Sequence, residues 1–167
     1  MSQYKNPVSV CVALIPVNLT GPIGDERLAG IIRGKSSDDG YGKLALPSGF
    51  NNEGESFVET MIRELREEIQ FETDAADWKL LYSDHIPGAN LNLVYMLHTK
   101  IMRSNIFEAS QVNEEVKGFK YIDRGDHLAF PLHERAVESY YAKYRREQQV
   151  LNRQAEIDAV IRAAVEA

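Results

Sequence analysis

The chain has 167 residues, 44% of them hydrophobic and 26% charged, which is enough apolar material in a domain-sized length for one core. Its net charge of −6 argues against a groove for long nucleic acid, which needs a basic surface, but leaves nucleotides open as ligands. One cysteine excludes an internal disulfide and a cysteine-rich zinc site. The start of the chain lacks a basic region followed by an apolar run, and no stretch approaches the ~18 apolar residues of a membrane span. A cytoplasmic protein with no membrane partner is therefore expected.

Residues 8–17 (VSVCVALIPV) are β-branched and almost continuously apolar, the pattern of a strand buried on both faces. Cys11 lies among Val8, Val10, Val12 and Leu14 and is expected as a buried strand thiol. Residues 18–26 hold two glycines and a proline and read as a hairpin connection to a second strand, 27–33, paired with the first. Residues 34–43 (GKSSDDGYGK) form a polar, glycine-rich loop whose Lys35, Tyr41 and Lys43 are either substrate contacts or simply solvated. A short apolar segment, 44–47, delivers the chain into Ser48-Gly49, where glycine permits a sharp turn and close approach.

A helix follows, with its start near Gly54–Ser56. Further strands are expected over 78–86, 91–101 and 116–122, with a turn at Pro87-Gly88 and an irregular polar stretch at 105–113. From Leu132 onward the composition is helical. Apolar residues at 137, 140, 141 and 144, then 151, 157, 161 and 165, predict two helices or one long bent one. The first part is expected to pack on the sheet. Past Arg146 the apolar face thins, and so long a helix either meets a partner chain, a homodimer in the simplest case, or ends as a frayed tail. The expected organisation is a domain over 1–147 and a C-terminal helical extension over 148–167. Strands with one central and one C-terminal helix predict an α/β/α sandwich around a mixed sheet.

The chemistry is concentrated in residues 49–71, GFNNEGESFVETMIRELREEIQF. Val58, Ile62, Leu65 and Ile69 recur at helical steps of four, three and four. At ~100° per residue, Glu64, Glu67 and Glu68 then cluster on one face, roughly opposite the apolar stripe. Carboxylates on adjacent turns repel one another, and a hard divalent cation removes that cost. A solvated acidic face is the plain alternative for these three alone.

Gly49, Glu55, Arg63, Glu64, Leu65, Glu67, Glu68 and Phe71, taken together at their spacing, resemble the signature of the Nudix hydrolases, G-x5-E-x7-R-E-U-x-E-E-x-G-U with U aliphatic or aromatic. One position departs: Gln70 stands where the family has Gly, which bears on how the helix ends rather than on the carboxylates. The resemblance implies the same α/β/α sandwich and hydrolysis of a nucleoside diphosphate linked to another group, by water attacking phosphorus. It implies Mg²⁺ or Mn²⁺ held by Glu64, Glu67 and Glu68, with Gly49 offering backbone and Glu64 or Glu68 accepting the water's proton. Glu55 and Arg63 are expected to support them.

An acidic residue from a distant loop often completes such a site. Glu114 and Glu115 are the candidates, with Glu108 behind them, and Glu115 is preferred because it precedes an apolar strand start, with a solvated loop carboxylate as the competing reading. Tyr41, Phe50 and Phe130 are candidates for stacking on a nucleotide base, with core packing the competing role for each. The four histidines share no metal-ligand spacing and are read as structural or surface residues. ADP-ribose-like and dinucleotide substrates rank first and nucleoside triphosphates second. A non-catalytic nucleotide-binding module would retain the fold, but no helix glutamate is missing. An isopentenyl diphosphate isomerase would need a placed catalytic cysteine, and Cys11 inside a first strand suits that poorly.

Overall fold

The computed structural model describes residues 7–19 and 25–167. Two mixed sheets form the middle of an α/β/α sandwich. The first has the order β5-β1-β7-β6, from Ser48–Phe50, Val8–Leu14, Leu91–His98 and Trp78–Ile86. Within it β1 runs parallel to β7 and antiparallel to β5. The second has the order β4-β3-β2-β8, from Leu44–Ala45, Glu26–Arg33, Pro16–Asn18 and Met102–Arg103, with β9 (Val116–Ile122) also paired to β3.

From Cys11 to Val17 the apolar run is buried on both faces, as its composition predicts, while Val8 at its start is exposed. Cys11, Ala13, Ile15 and Val17 face a core shared with helix α1 (Phe57–Ile69), while Val12 and Leu14 face a second core under helix α3 (Pro131–Ser139). It is not one strand, however. The chain changes sheets at Ile15: Ala13 N–H donates to Pro47 O at 2.8 Å on one side, and Ile15 O accepts from Ala29 N at 2.9 Å on the other. Pro16, which has no N–H to give, opens the new strand. The expected pairing of the first two strands therefore holds only for Pro16–Asn18 against β3. Of the connection expected over 18–26, residues 20–24 lie outside the described residues.

The stretch 105–113 is not wholly irregular. Ser104–Glu108 forms a short helix, α2, because Phe107 is buried against the rings of Phe119 and Tyr121. The strand expected over 91–101 ends at His98, and Met102–Arg103 pairs into the other sheet.

The C-terminal helical region is one continuous run. Pro131 occupies the first turn of α3, where its missing N–H costs nothing. A π-helical turn, Tyr140–Tyr144, joins α3 to α4 (Arg145–Glu166), and it seats the Tyr140 ring in the core. The first turns of α4 dock on the sheets. Gln148 Nε2 donates to the His98 and Thr99 carbonyls at 2.8 and 3.1 Å, Gln149 reaches Glu26 at 2.9 Å, and Asn152 reaches Thr99 O at 3.4 Å. Docking thus continues to Asn152, past the domain edge expected at 147. Beyond it every residue is exposed, including Ile157, Val160, Ile161 and Val165. Among the described residues, no helix is long and apolar enough to cross a membrane.

Candidate active site

Helix α1 starts where the sequence places it. Ser56 Oγ accepts from Glu59 N–H at 3.1 Å and the Glu59 carboxylate accepts from Ser56 N–H at 2.7 Å, a reciprocal capping box. Met61, Leu65 and Ile69 bury against the sheet, with Val58 and Ile62 at the margin. The glutamates do not all lie opposite this stripe. Glu64 and Glu68 are only 6% and 4% exposed, turned in toward β5, whereas more than half of the Glu67 side chain is in solvent. Gly49 permits this inward turn. A Cβ there would coincide with the Glu64 carboxylate, so only glycine leaves room for it.

The structure brings Glu64, Glu68 and Glu115 together, with one carboxylate oxygen from each within 4.8 Å of the others. Glu115 arrives from the turn before β9; Glu67 points outward and is held by Arg63 at 3.3 Å. Arg63 is the hub of the support. It makes a forked pair with Glu55 at 2.7 and 3.0 Å, donates to Glu64 at 2.5 Å, and ties down the Phe50 carbonyl at 2.8 Å. The Glu55 carboxyl, bonded by Arg63 and by Asn52 N–H and Thr60 Oγ, is pulled down to about 2. Burial acts the other way on the inner pair. It pushes Glu64 up against the pull of Arg63, and it pushes Glu68 well above the carboxylate range, helped by the charge of Glu64 and opposed by Ser48 N–H at 3.1 Å.

Of the three converging carboxylates, two of them buried, only Glu64 is paired directly with a cation, Arg63, among the described residues. That donor set fits a hard divalent cation with oxygen preference. None of the histidines enters it. His98 and His133 are buried, and His85 and His127 are exposed.

The three aromatic candidates do not form one surface. Tyr41 is half exposed with Lys117 Nζ 4.5 Å above its ring. Phe130 packs against Arg33 at 5.2 Å and edge-on to His133 at 5.0 Å. Loop 38–42 links the two, because Arg33 Nε donates to Asp39 O at 2.8 Å and Gly40 sits against Ala129 and Phe130. Phe50 is exposed on β5 and meets no other ring among the described residues. Lys43 and Lys35 remain in the same loop, with Lys43 carrying the backbone bond to Arg33.

Sequence reasoning missed Arg33, whose charge reaches Glu68, along with Lys117 and His133. It also missed Asn113, which holds the end of α1. Arg33 and Lys117 close or flank predicted strands beside the loop and the acidic pair, so adjacency was the available signal. His133 and Asn113 had none.

A family model for the NUDIX domain matches residues 25–144. The chain belongs to the NUDIX domain family. The reading of the sequence as a Nudix-type hydrolase stands with that membership. No curated protein matches the chain. Among solved structures, it resembles a MutT/nudix family protein from Enterococcus faecalis at 17% identity and TM-score 0.57, covering 76% of this chain but only 48% of that one. The NUDIX domain of Shewanella oneidensis NrtR, solved with ADP ribose, gives 19% identity and TM-score 0.64 over 84% of this chain and 90% of that one. A Caenorhabditis elegans Ap4A hydrolase gives 15% identity and TM-score 0.60 over 81% and 96%. At these identities the likeness is one of fold.

Proposed function

We propose that the chain hydrolyses the pyrophosphate bond of a nucleoside diphosphate linked to a second group, with ADP-ribose-like and dinucleotide compounds as its substrates and Mg²⁺ or Mn²⁺ as cofactor. The observation that carries this reading is the convergence of Glu64, Glu68 and Glu115 beside a cationic and aromatic rim. When bound, the divalent ion would neutralise charge on the phosphates and lower the pKa of the attacking water. Glu64, Glu68 and Glu115 would hold it, and Glu67, on the same helix, extends the carboxylate set toward solvent. Arg63 and Glu55 keep Glu64 in place, and Gly49 gives it space. Water's oxygen forms the new P–O bond as the anhydride P–O bond breaks, and its proton goes to Glu64 or Glu68.

Around this centre, Arg33 and Lys117 supply positive charge for the phosphates, and Tyr41 and Phe130 offer ring faces to a base or ribose. Phe50 is a further exposed ring, on a strand residue whose carbonyl Arg63 holds at 2.8 Å. A diphosphate flanked by two groups suits a rim with aromatic residues at separate points better than one compact base does. The solved relatives named with ADP ribose and Ap4A support the same substrate class. We also infer that the exposed half of α4 pairs with a second copy of the chain, and that the protein works in the cytoplasm.

The test is hydrolysis across ADP-ribose, NADH, diadenosine polyphosphates, nucleotide sugars and (d)NTPs, with products resolved by chromatography. AMP from ADP-ribose or a dinucleotide is expected. Pyrophosphate from a triphosphate alone would move the substrate class, and metal binding without any turnover would make the chain a binding module.

A further inference from the structure

Glu115 is the least anchored member of the carboxylate group by its own bonds. It is exposed, it lies outside regular structure, and its side chain accepts no hydrogen bond among the described residues. Its place beside Glu64 and Glu68 must come from the backbone that carries it. That backbone is tied to the C-terminal end of α1, the helix that carries the other two.

The ties run through three side chains. Asn113 Nδ2 donates to the Glu67 and Glu68 carbonyls at 3.2 and 3.4 Å, while its Oδ1 accepts from the N–H groups of Glu115 and Val116 at 2.9 and 3.1 Å. Ser110 Oγ donates to Ile69 O at 2.8 Å. Gln70 Oε1 accepts from Gln111 N–H at 2.7 Å. The last carbonyls of a helix have no partner within it, and here residues from one loop satisfy three of them in succession. Gln70 itself sits in the left-handed region at φ 52, with its N–H returned to Leu65 O. Glycine would adopt that conformation without strain, but it has no side chain to hold the loop.

We propose that Asn113, assisted by Gln70, is a positioning residue that sets Glu115 against Glu64 and Glu68. A single amide group spans the two sources of the carboxylates: one end caps the helix of Glu64 and Glu68, and the other fixes the peptide of Glu115. The departure at Gln70 then serves the site instead of merely replacing a glycine. This inference rests on the metal-site reading above.

The experiment is a Mn²⁺ titration of the full chain by calorimetry, with thermal melts alongside, for wild type, Asn113→Ala, Gln70→Gly, Glu115→Gln and the double variant Asn113→Ala/Glu115→Gln. Asn113→Ala is expected to weaken Mn²⁺ binding by about tenfold, as loss of an orienting partner does. Gln70→Gly gives a smaller loss of the same sign. Asn113→Ala adds no further loss once Glu115 is Gln, because its effect passes through that carboxylate. A purely structural role would lower the melting temperature and weaken Mn²⁺ binding equally in both backgrounds. That additive result, or unchanged affinity in Asn113→Ala, overturns the proposal. Absence of Mn²⁺ binding by wild type instead overturns the metal site, and the positioning role falls with it.

Discussion

Gly49 and Glu64 share one volume: the glycine has no side chain because the carboxylate stands where it would be. Gly49→Ala should therefore displace Glu64, with an overpacking cost of about 1–3 kcal/mol and a large loss of Mn²⁺ affinity, read by thermal melts and calorimetry. Glu68 behaves differently. Its buried carboxylate is held by one backbone amide beside a second carboxylate, so without metal its charge opposes folding. Glu68→Gln should raise the melting temperature of metal-free protein by about 3 °C, equivalent to about 1 kcal/mol, and abolish the further rise that Mn²⁺ gives to wild type. His133 supplies a pH dependence. Leu46 N–H donates to its Nδ1 at 3.3 Å, and burial lowers its pKa to about 4. The folded value lies below the unfolded one, so this contribution is complete above the unfolded value near 6.5 and is lost as pH falls from there through 4, about 3 kcal/mol in all. Glu64 and Glu68, raised in the fold, work in the opposite direction in acid. The difference between wild type and His133→Gln isolates the histidine: in urea melts, the variant should lose less stability between pH 7 and pH 4.5.

At the scale of elements, the helix that carries the glutamates was the most legible part of the sequence, and its capping box matches the Gly54–Ser56 start. Ser56→Ala should cost about 1 kcal/mol in the same melts, without moving Mn²⁺ affinity beyond that. The strands were legible as apolar runs, and Glu115 as an acid before a strand. Helical spacing alone could not tell which glutamates turn inward, because that depends on which strand crosses the helix and on a glycine in it. For the same reason it placed Glu67 level with Glu64 and Glu68. The change of sheet at Ile15 escaped notice because both sheets bury the run equally, leaving its hydrophobicity unbroken. Helix α2 was hidden by polar neighbours around the one anchor that folds it, Phe107.

For the whole molecule, the two halves of α4 play different parts. Through Asn152 it is fastened to the sheets by Gln148, Gln149 and Asn152, while its remainder exposes Ile157, Val160, Ile161 and Val165. Truncation after Asn152 should leave the melting temperature of the monomer unchanged and convert a dimeric mass to a monomeric one by light scattering. Truncation after Glu147 should also destabilise the domain, at about 1 kcal/mol per lost buried hydrogen bond. A monomeric mass for the full chain would remove the pairing. The carboxylates and the bond they break are tested together by AMP release from ADP-ribose in Mg²⁺ or Mn²⁺, wild type against Glu68→Gln. Metal-dependent AMP is expected from wild type, with a rate lower by at least about a hundredfold from the variant, on the scale of losing a group that holds the metal. Equal rates from the two proteins, or AMP release that ignores the metal, would contradict the proposed function.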